Sequence, residues 1–450
     1  MYDFHGRHVL VIGLARSGLA AIDLLHKLGA DITLSEMREE SAIKEAADLR
    51  EKGVHIVGQT PDVFEENYDL VIKNPGIPSS KPFVKTLRAR GIPVITEIEL
   101  AFMVAKPQHY LAVTGTNGKT TTATLLGEIV KAAYPDKTHV TGNIGIPLCR
   151  TVLDYNLLEN EGHYIVLEIS NFQLVDIVQF RPQAAVILNL TPDHVDVMGS
   201  LQNYYESKTR VYRRMQEDEL FIRNTDDAVV VDYCGMYPVP CKTLDMSLER
   251  EDAFYHLADG WMWAGEEKIL PLDEIKIVGM HNVQNCMAAA ALARAAGVSN
   301  EIIRRVISDF KGVEHRIEFV RELNGVRYYN DSKGTNPDAT ITALKAFTQP
   351  VVLLVGGFEK GLAMDEVRKY IGNVKKVIGF GACGARLVKE LVGKDGIVVE
   401  TMDAALRQAQ KIAQAGDVVL LSPTTSSFDQ FSCYEERGEV FVKLVNGLEV

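Results

Sequence analysis

The chain has 450 residues, 46% of them apolar and 24% charged, with a formal net charge of −12. That length suggests about three domains, each large enough to bury a core, and the acidic balance lacks the global basic footprint of a nucleic-acid-binding protein. The six cysteines, at positions 149, 234, 241, 286, 383 and 433, include no CxxC pair; they read as reduced thiols in a cytoplasmic protein, neither a disulfide frame nor a zinc site.

The N-terminal run Val9 to Leu14 is short and passes into a glycine turn, which predicts a first strand and not a signal peptide. No stretch is apolar and long enough to insert into a bilayer. Gly13-Leu14-Ala15-Arg16-Ser17-Gly18 then opens a helix with the spacing of a dinucleotide fingerprint, but Ala15 stands at the middle glycine. Glu36 ends the next strand, where a ribose contact would lie. A dinucleotide site, a UDP pyrophosphate site and a plain structural turn all stay open for this loop. The stretch GIPVITEIELAFMVAKPQ reads as the exit from a first domain of roughly 100 residues.

Further along, apolar runs such as YLAVTGT, YIVLEIS, AAVILNL, PVVLLVGG and DVVLLSP end in Gly, Asn, Ser, Thr or Glu. Runs buried on both faces belong to parallel sheets covered by helices, and helical segments alternate with them, so the class is α/β. Residues 232–280 read differently, as a small antiparallel excursion. A second boundary falls near DFKGVEHRIEFV, where Gly312 ends a helical pattern. Ligands bind beyond the carboxyl ends of strands in such sheets, so the polar residues that end these runs are the candidates for chemistry.

Gly115-Thr116-Asn117-Gly118-Lys119-Thr120 lies between the strand YLAV and a helix. Its glycines let backbone amides cradle phosphates at a helix N-terminus, Lys119 can reach the β and γ phosphates, and Thr120 can bind Mg²⁺. Val113 stands where the standard pattern has its first glycine, so this is a variant loop. Glu168 ends YIVLEIS, and Asp193 and His194 follow AAVILNL. A strand-end carboxylate beside a phosphate loop suits Mg²⁺, while a helix N-cap or surface acid is the bland reading of Glu168. His194 is as well read as a donor to substrate. Lys208, in YYESKTRVYRRM, reads on its own as a surface helix lysine.

In the second half, Asn282 and Asn285 either read an adenine edge or cap the alanine-rich helix that follows. Arg316 precedes a strand. Three polar loops follow strands: Asp331-Ser332-Lys333-Gly334-Thr335-Asn336, Gly356-Gly357 with Lys360-Gly361, and Ser422 to Phe428. Each alone could be an ordinary capped turn; three beside a phosphate loop suggest a site.

GTNGKT, TGNIG, EISNFQL, NLTPDHVD, the Lys208 segment, HNVQN, EHRIE, NDSKGTN, GGFEKG and SPTTSSFDQF occur in this order. Together they resemble the Mur ligase family, and NDSKGTN with SPTTSSFDQF resembles its D-glutamate-adding branch, over essentially the whole chain. The resemblance implies a Rossmann-like UDP-substrate domain over 1–99, a central P-loop ATPase-type parallel-sheet domain over 100–311, and a Rossmann-like C-terminal domain over 312–450 contributing ATP and D-glutamate contacts. It implies a cytoplasmic, monomeric, ATP-dependent ligase joining D-glutamate to UDP-N-acetylmuramoyl-L-alanine through an acyl phosphate, with no nucleic-acid or membrane partner. Gly115, Thr116, Asn117, Gly118, Lys119, Thr120, Thr121, Asn282, Arg316, Asp331 and Lys333 would bind ATP. Thr120, Glu168, His194 and Lys208 would hold two Mg²⁺ ions, with Lys208 carbamylated; Lys119, Glu168, His194 and Lys208 form the catalytic set. Arg16, Ser17, Glu36, Arg38, Asn74, Asn143 and His194 would bind the UDP-muramoyl acceptor, and Thr335, Lys360, Ser427 and Phe428 would surround D-glutamate. Departures fall in the first domain, where Arg16 replaces an apolar residue and Glu36-Met37 stand where Asp and Thr are common. A nicotinamide dehydrogenase, a P-loop switch protein and a sister ligase are the rival readings; phosphate release with each candidate amino acid discriminates them.

Overall fold

The computed structural model describes residues 2–193 and 195–449. His194, expected as a metal and substrate residue, lies outside them. The chain divides into two compact units, Met1–Glu274 with Gln284–Ile307, and Ile275–Val283 with Ser308–Val450.

The first unit holds two sheets. In one, β1 (His8–Ile12), β2 (Asp31–Glu36), β3 (His55–Gly58), β4 (Leu70–Lys73) and β5 (Val94–Ile95) run parallel in the order β3-β2-β1-β4-β5. Side chains alternate across it: Val9 and Val11 enter one core, Leu10 and Ile12 another. Burial on both faces is why the run is continuously apolar. The other sheet comprises β6 (His109–Thr114), β7 (Thr138–Gly142), β8 (Tyr164–Glu168), β9 (Ala184–Ile187), β10 (Leu220–Asn224), β11 (Lys242–Met246), β12 (Tyr255–Ala258), β13 (Trp261–Ala264) and β14 (Glu267–Pro271). Its order is β14-β13-β12-β11-β10-β9-β6-β8-β7. The strands pair parallel except β12-β13 and β13-β14, which are antiparallel hairpins, as the sequence suggested for that stretch. β6 lies between β8 and β9, so the chain reverses its winding there and opens a crevice at the end of β6.

The second unit holds β15 (Glu318–Leu323), β16 (Val326–Asn330), β17 (Val351–Gly356), β18 (Val374–Phe380), β19 (Ile397–Val398) and β20 (Val418–Leu421), ordered β15-β16-β20-β17-β18-β19. Only β15 is antiparallel to its neighbour. Val351, Leu353 and Val355 bury on one face, Val352 and Leu354 on the other. Because β16, β20 and β17 are adjacent, the three polar loops that follow them emerge side by side. Among the described residues no helix is long and apolar enough to cross a membrane.

Candidate active site

The loop after β6 turns on two glycines. Gly115 and Gly118 have φ of 149° and 83°. A Cβ on Gly115 would stand 3.0 Å from Leu188 Cβ, and one on Gly118 would stand 2.3 Å from Asn285 Oδ1. The loop is thus pressed so closely against its neighbours that only glycine fits. Gly118 caps the helix Lys119–Ala133, whose first-turn amides provide anion-binding potential. The segment after β9 braces the loop. Asn117 N–H donates to Asn189 Oδ1 (2.8 Å), Thr116 N–H to Asn189 O (3.0 Å), and Thr116 Oγ1 to Thr191 O (3.1 Å). Thr120 and Thr121 are buried in the first helical turn.

Two lysines meet on this loop. Lys119 Nζ donates to Gly115 O (2.9 Å) and Thr116 O (2.7 Å), and Lys208 Nζ donates to the same Gly115 O (2.8 Å). Lys208 is 1% exposed, which overturns its reading as a surface lysine. Its helix, Leu201–Thr209, turns that face inward, where the Tyr204 ring lies 4.8 Å from Nζ and Tyr204 Oη donates to Thr116 Oγ1 (3.2 Å). Burial, then the neighbouring Lys119, push the Lys208 amine well below the usual lysine range; Asp193 and Glu168 act the other way.

Glu168 ends β8 opposite Val113 and is 1% exposed. It is no helix cap: Ser170 and Gln173 form the capping box of the helix Asn171–Leu174. Glu168 Oε1 accepts from Asn143 Nδ2 (2.7 Å), while Oε2 is buried with no hydrogen-bond partner. Asn143 N–H also donates to Glu168 O (2.8 Å). An orphaned carboxylate oxygen beside a phosphate cradle and a buried threonine is an oxygen-rich donor set that fits a hard divalent cation. Among the described residues, no three His, Cys, Asp or Glu side chains gather to hold a metal by themselves; Mg²⁺ characteristically completes its shell with phosphate oxygens and water.

At the first loop, Gly13 has φ 86° and a Cβ there would meet Ile77 (3.1 Å) and Asn74 (3.3 Å). Arg16 is exposed and Ser17 half-buried at the start of the helix Arg16–Lys27. Glu36 accepts from the amides of Leu14 (2.7 Å), Met37 (3.0 Å) and Arg38 (3.2 Å) and from Arg38 Nε (3.2 Å). Burial alone would raise its carboxyl; Arg38 and the amides outweigh that and hold it below the usual range. Arg38 also donates to Leu14 O (2.8 Å). This acid and its arginine therefore staple the first loop together.

In the second unit, His315 and Ile317 flank Arg316 at φ 63° and 46°, a left-handed conformation that strains a β-branched residue. The strain is held by Ile317 N–H donating to Asp331 Oδ1 (3.3 Å), His315 N–H to Glu318 Oε2 (2.8 Å) and Lys333 N–H to His315 O (2.9 Å). Arg316 Nε is buried without a partner. Burial pushes the Asp331 carboxyl up to about 7, against the Ser422 hydroxyl, which donates to Oδ2 (2.8 Å). Asn282, in the first turn of the helix Met280–Ala295, donates from Nδ2 to Val278 O (2.8 Å), just before that helix. Asn285, in the other unit, accepts from Thr122 Oγ1 (3.2 Å) and walls Gly118, so it braces the phosphate loop.

Lys360 Nζ donates to Thr335 O (3.3 Å), joining the loops after β16 and β17. Burial and the charge of Arg437 lower its amine. Ser427 is buried and Phe428 is 66% exposed. Lys333 Nζ lies 5.6 Å from the Tyr434 ring. Arg437 has no sequence signal, since it sits in the charged stretch YEERGE. It is fully buried. Its guanidinium donates to Ser332 Oγ (3.0 Å), Ser332 O (2.8 Å) and Thr425 O (3.2 Å), clamping the loops after β16 and β20. Asn189 and Tyr204 were equally invisible, because only the fold brings them to the phosphate loop.

Sequence profiles match at residues 7–96 (Mur ligase MurD-like, N-terminal domain), 113–293 (Mur ligase middle domain) and 315–425 (Mur ligase, glutamate ligase domain). The chain is 38% identical over 451 residues to a UDP-N-acetylmuramoylalanine--D-glutamate ligase of Bacillus cereus, covering 99% of each chain. It is 39% identical over 459 residues to one of Thermoanaerobacter pseudethanolicus, covering 98% of this chain and 99% of the other. Among solved structures, it shares its fold with the UDP-N-acetylmuramate-alanine ligase MurC of Thermotoga maritima (TM-score 0.57, 19% identity, 98% and 100% covered). The MurF ligase of the same organism in complex with ADP has the same fold (TM-score 0.58, 18% identity, 99% and 96% covered).

Proposed function

The chain belongs to the Mur ligase family, and from that membership we infer that it is an ATP-dependent ligase joining D-glutamate to UDP-N-acetylmuramoyl-L-alanine in peptidoglycan precursor synthesis. One observation carries the chemistry: Lys119 and Lys208 converge on a single loop carbonyl, in a crevice that also holds the orphaned oxygen of Glu168. Six free cysteines accord with a reducing, cytoplasmic setting.

A carboxylate is a poor electrophile, so the alanyl carboxylate must first take the γ-phosphoryl group of ATP, breaking the bond between the γ phosphorus and the β,γ-bridging oxygen and releasing ADP. The amides of the loop and of the helix start orient the phosphates, and Lys119 neutralises the charge that develops on them. Thr120, Glu168 and a carbamylated Lys208 are the groups that would hold Mg²⁺. When bound, the ion supplies charge neutralisation between the phosphoryl oxygens. Only a neutral amine adds CO₂, and burial pushes Lys208 toward that form; a carbamate there would turn it from a competitor of Lys119 into an oxygen ligand. Asn143 holds Glu168 in its rotamer. In the second unit, Asp331 and Arg316 are the groups for ribose and phosphate, and Thr335, Lys360 and Ser427 those for the amino acid. The free amine of D-glutamate then attacks the acyl carbon, and the tetrahedral intermediate collapses to the amide as the C–O bond breaks, the nitrogen gives up a proton and inorganic phosphate is expelled.

Phosphate release in the presence of ATP and the UDP-muramoyl-alanine acceptor tests this directly. Release should require D-glutamate and fail with L-alanine, L-lysine and diaminopimelate, and Lys119→Ala should abolish it. Release that ignores the amino acid, or a Lys119→Ala enzyme of near-normal rate, refutes the assignment.

A further inference from the structure

A buried charge cluster lies away from the phosphate loop, and no step of the reaction uses it. Asp176 follows the helix Asn171–Leu174, and its side chain is fully buried. Lys73, at the end of β4, places Nζ 3.1 Å from Asp176 Oδ2 and is itself 1% exposed. Ser79 Oγ is 3.3 Å from both carboxylate oxygens, and the Arg88 guanidinium binds Oδ1. Three partners from the first sheet's side thus meet one carboxylate from the second.

Such a cluster is a poor way to gain stability. Removing two charges from water costs several kcal/mol per ion, and apolar replacements are often as stable. What it does provide is a fixed geometry. Lys73 Nζ also donates to Ile77 O (2.7 Å), and Ile77 N–H donates to Asn74 O (3.0 Å), so the lysine closes the loop 74–80 on itself. Asn74 and Ile77 in turn form the wall against Gly13. On its other side the loop borders a cavity of ≈ 250 Å³ lined by Lys73, Ile77, Ser79, Phe172, Ser207 and Arg210. Ser207 precedes Lys208 on the same helix. Arg210 Nη1 donates to Val175 O (2.6 Å), next to Asp176. The cluster therefore connects the loop behind Gly13 to the helix Asn171–Leu174 and, across the cavity, to the helix that carries Lys208.

We propose that Asp176 is a positioning residue for the acceptor: through Lys73, Ser79 and Arg88 it sets the loop 74–80 against the phosphoryl-transfer crevice, so that the UDP end and the alanyl carboxylate are held in one register. This rests on the acceptor assignment above. None of the residues assigned above to ATP or D-glutamate lies in that loop, so the expected effect is selective for the acceptor.

The test is Asp176→Asn, compared with Asp176→Glu, which keeps the charge, and Ser79→Ala, which strands no buried ion. In Asp176→Asn the KM for UDP-N-acetylmuramoyl-L-alanine should rise about 10- to 100-fold, the range for losing charge-assisted hydrogen bonds. The KM values for ATP and D-glutamate should stay within about 2-fold, a small change beside one tenfold step. Asp176→Glu should recover part of the loss and Ser79→Ala should show a smaller rise of the same kind. The Ile77 amide should exchange faster in Asp176→Asn. A folded Asp176→Asn with an unchanged acceptor KM overturns the proposal, as do three KM values that rise together. If Asp176→Asn does not fold, an unchanged acceptor KM in Ser79→Ala overturns it. A wild-type protein that ligates no D-glutamate would sink the ligase assignment instead, and the Ile77 exchange rate would then decide whether Asp176 holds the loop 74–80.

Discussion

Replacing Gly118 with alanine separates the geometry of the phosphate loop from simple backbone strain. Gly118 caps its helix at φ 83°, where an L-residue costs about 1–2 kcal/mol. The new Cβ would stand 2.3 Å from Asn285 Oδ1 and 3.2 Å from Leu188 Cδ1. Asn285 must turn away, and its bond from Thr122 Oγ1 (3.2 Å) is lost, a further ~1 kcal/mol. The sum is about 2–3 kcal/mol, which lowers Tm by about 5 °C in a unit of this size. The control is Gly260→Ala, at φ 75° with nothing within 4 Å of its Cβ; it carries the strain alone, about 1–2 kcal/mol. The two variants should differ most in nucleotide use. Gly118→Ala displaces the first-turn amides and should raise the KM for ATP about 10-fold or more, the equivalent of 1.4 kcal/mol, whereas Gly260→Ala should leave it unchanged. Scanning fluorimetry and an ATP titration of phosphate release measure both quantities. Equal Tm losses with an unaltered KM for ATP in both would refute the cradle.

Other consequences follow from the same geometry. Glu168→Gln keeps the bond from Asn143 but removes the charge near Lys208; turnover should fall about 10²- to 10³-fold, as when one preorganised electrostatic group is lost, with Tm nearly unchanged, and a wild-type rate would rule the carboxylate out of the site. Burial pushes the Glu97 carboxyl from 4.5 up to about 7, and its Oε1 has no partner. A folded value above the unfolded one means stability is greatest below about 4.5 and declines as pH rises to about 7, by on the order of 3 kcal/mol. Glu97→Gln should remove that slope, so denaturation midpoints of variant and wild type should diverge in the variant's favour between pH 5 and 7; parallel curves would mean that Glu97 is ionised in the fold. Arg437→Lys retains a charge but cannot span Ser332 and Thr425, and should raise the KM for D-glutamate about 10-fold without changing that for ATP; an effect on ATP alone would contradict the clamp.

How far the sequence revealed these features depended on whether the chemistry is contiguous. Gly-Thr-Asn-Gly-Lys-Thr is legible because phosphate binding needs those residue types in one turn between a strand and a helix. The loops at Asp331, Gly356 and Ser422 are legible because doubly buried strands must end in the residues that face ligand. Their adjacency is not: it needs the order β16-β20-β17, which no local pattern contains. Lys208 was opaque to any reading of its own segment, since three tyrosines and four charged residues around it suit a solvated helix; only the resemblance marked it. Glu36 has a second role that its position did not suggest. A strand-end acid invites a ribose contact, and its carboxylate also accepts from Leu14, Met37 and Arg38. Arg437 and Asp176 gave no signal at all, because a buried charge is identified by what surrounds it.

That last property says what kind of residue to look for. Lys73, Asp176, Glu168, Lys208 and Arg437 are each at most 1% exposed at the side chain, and each carries a desolvation cost that packing could have avoided. All five lie at or beside strand ends that precede candidate ligand loops, or on the elements packed against those loops. A fold optimised for stability alone would replace them with apolar groups. Their retention is explained if each holds a loop, an amine or an oxygen where the reaction needs it. Variants at these positions should therefore alter individual KM or kcat values more than Tm when shape is preserved, whereas apolar core positions such as Val352 or Leu420 should do the reverse.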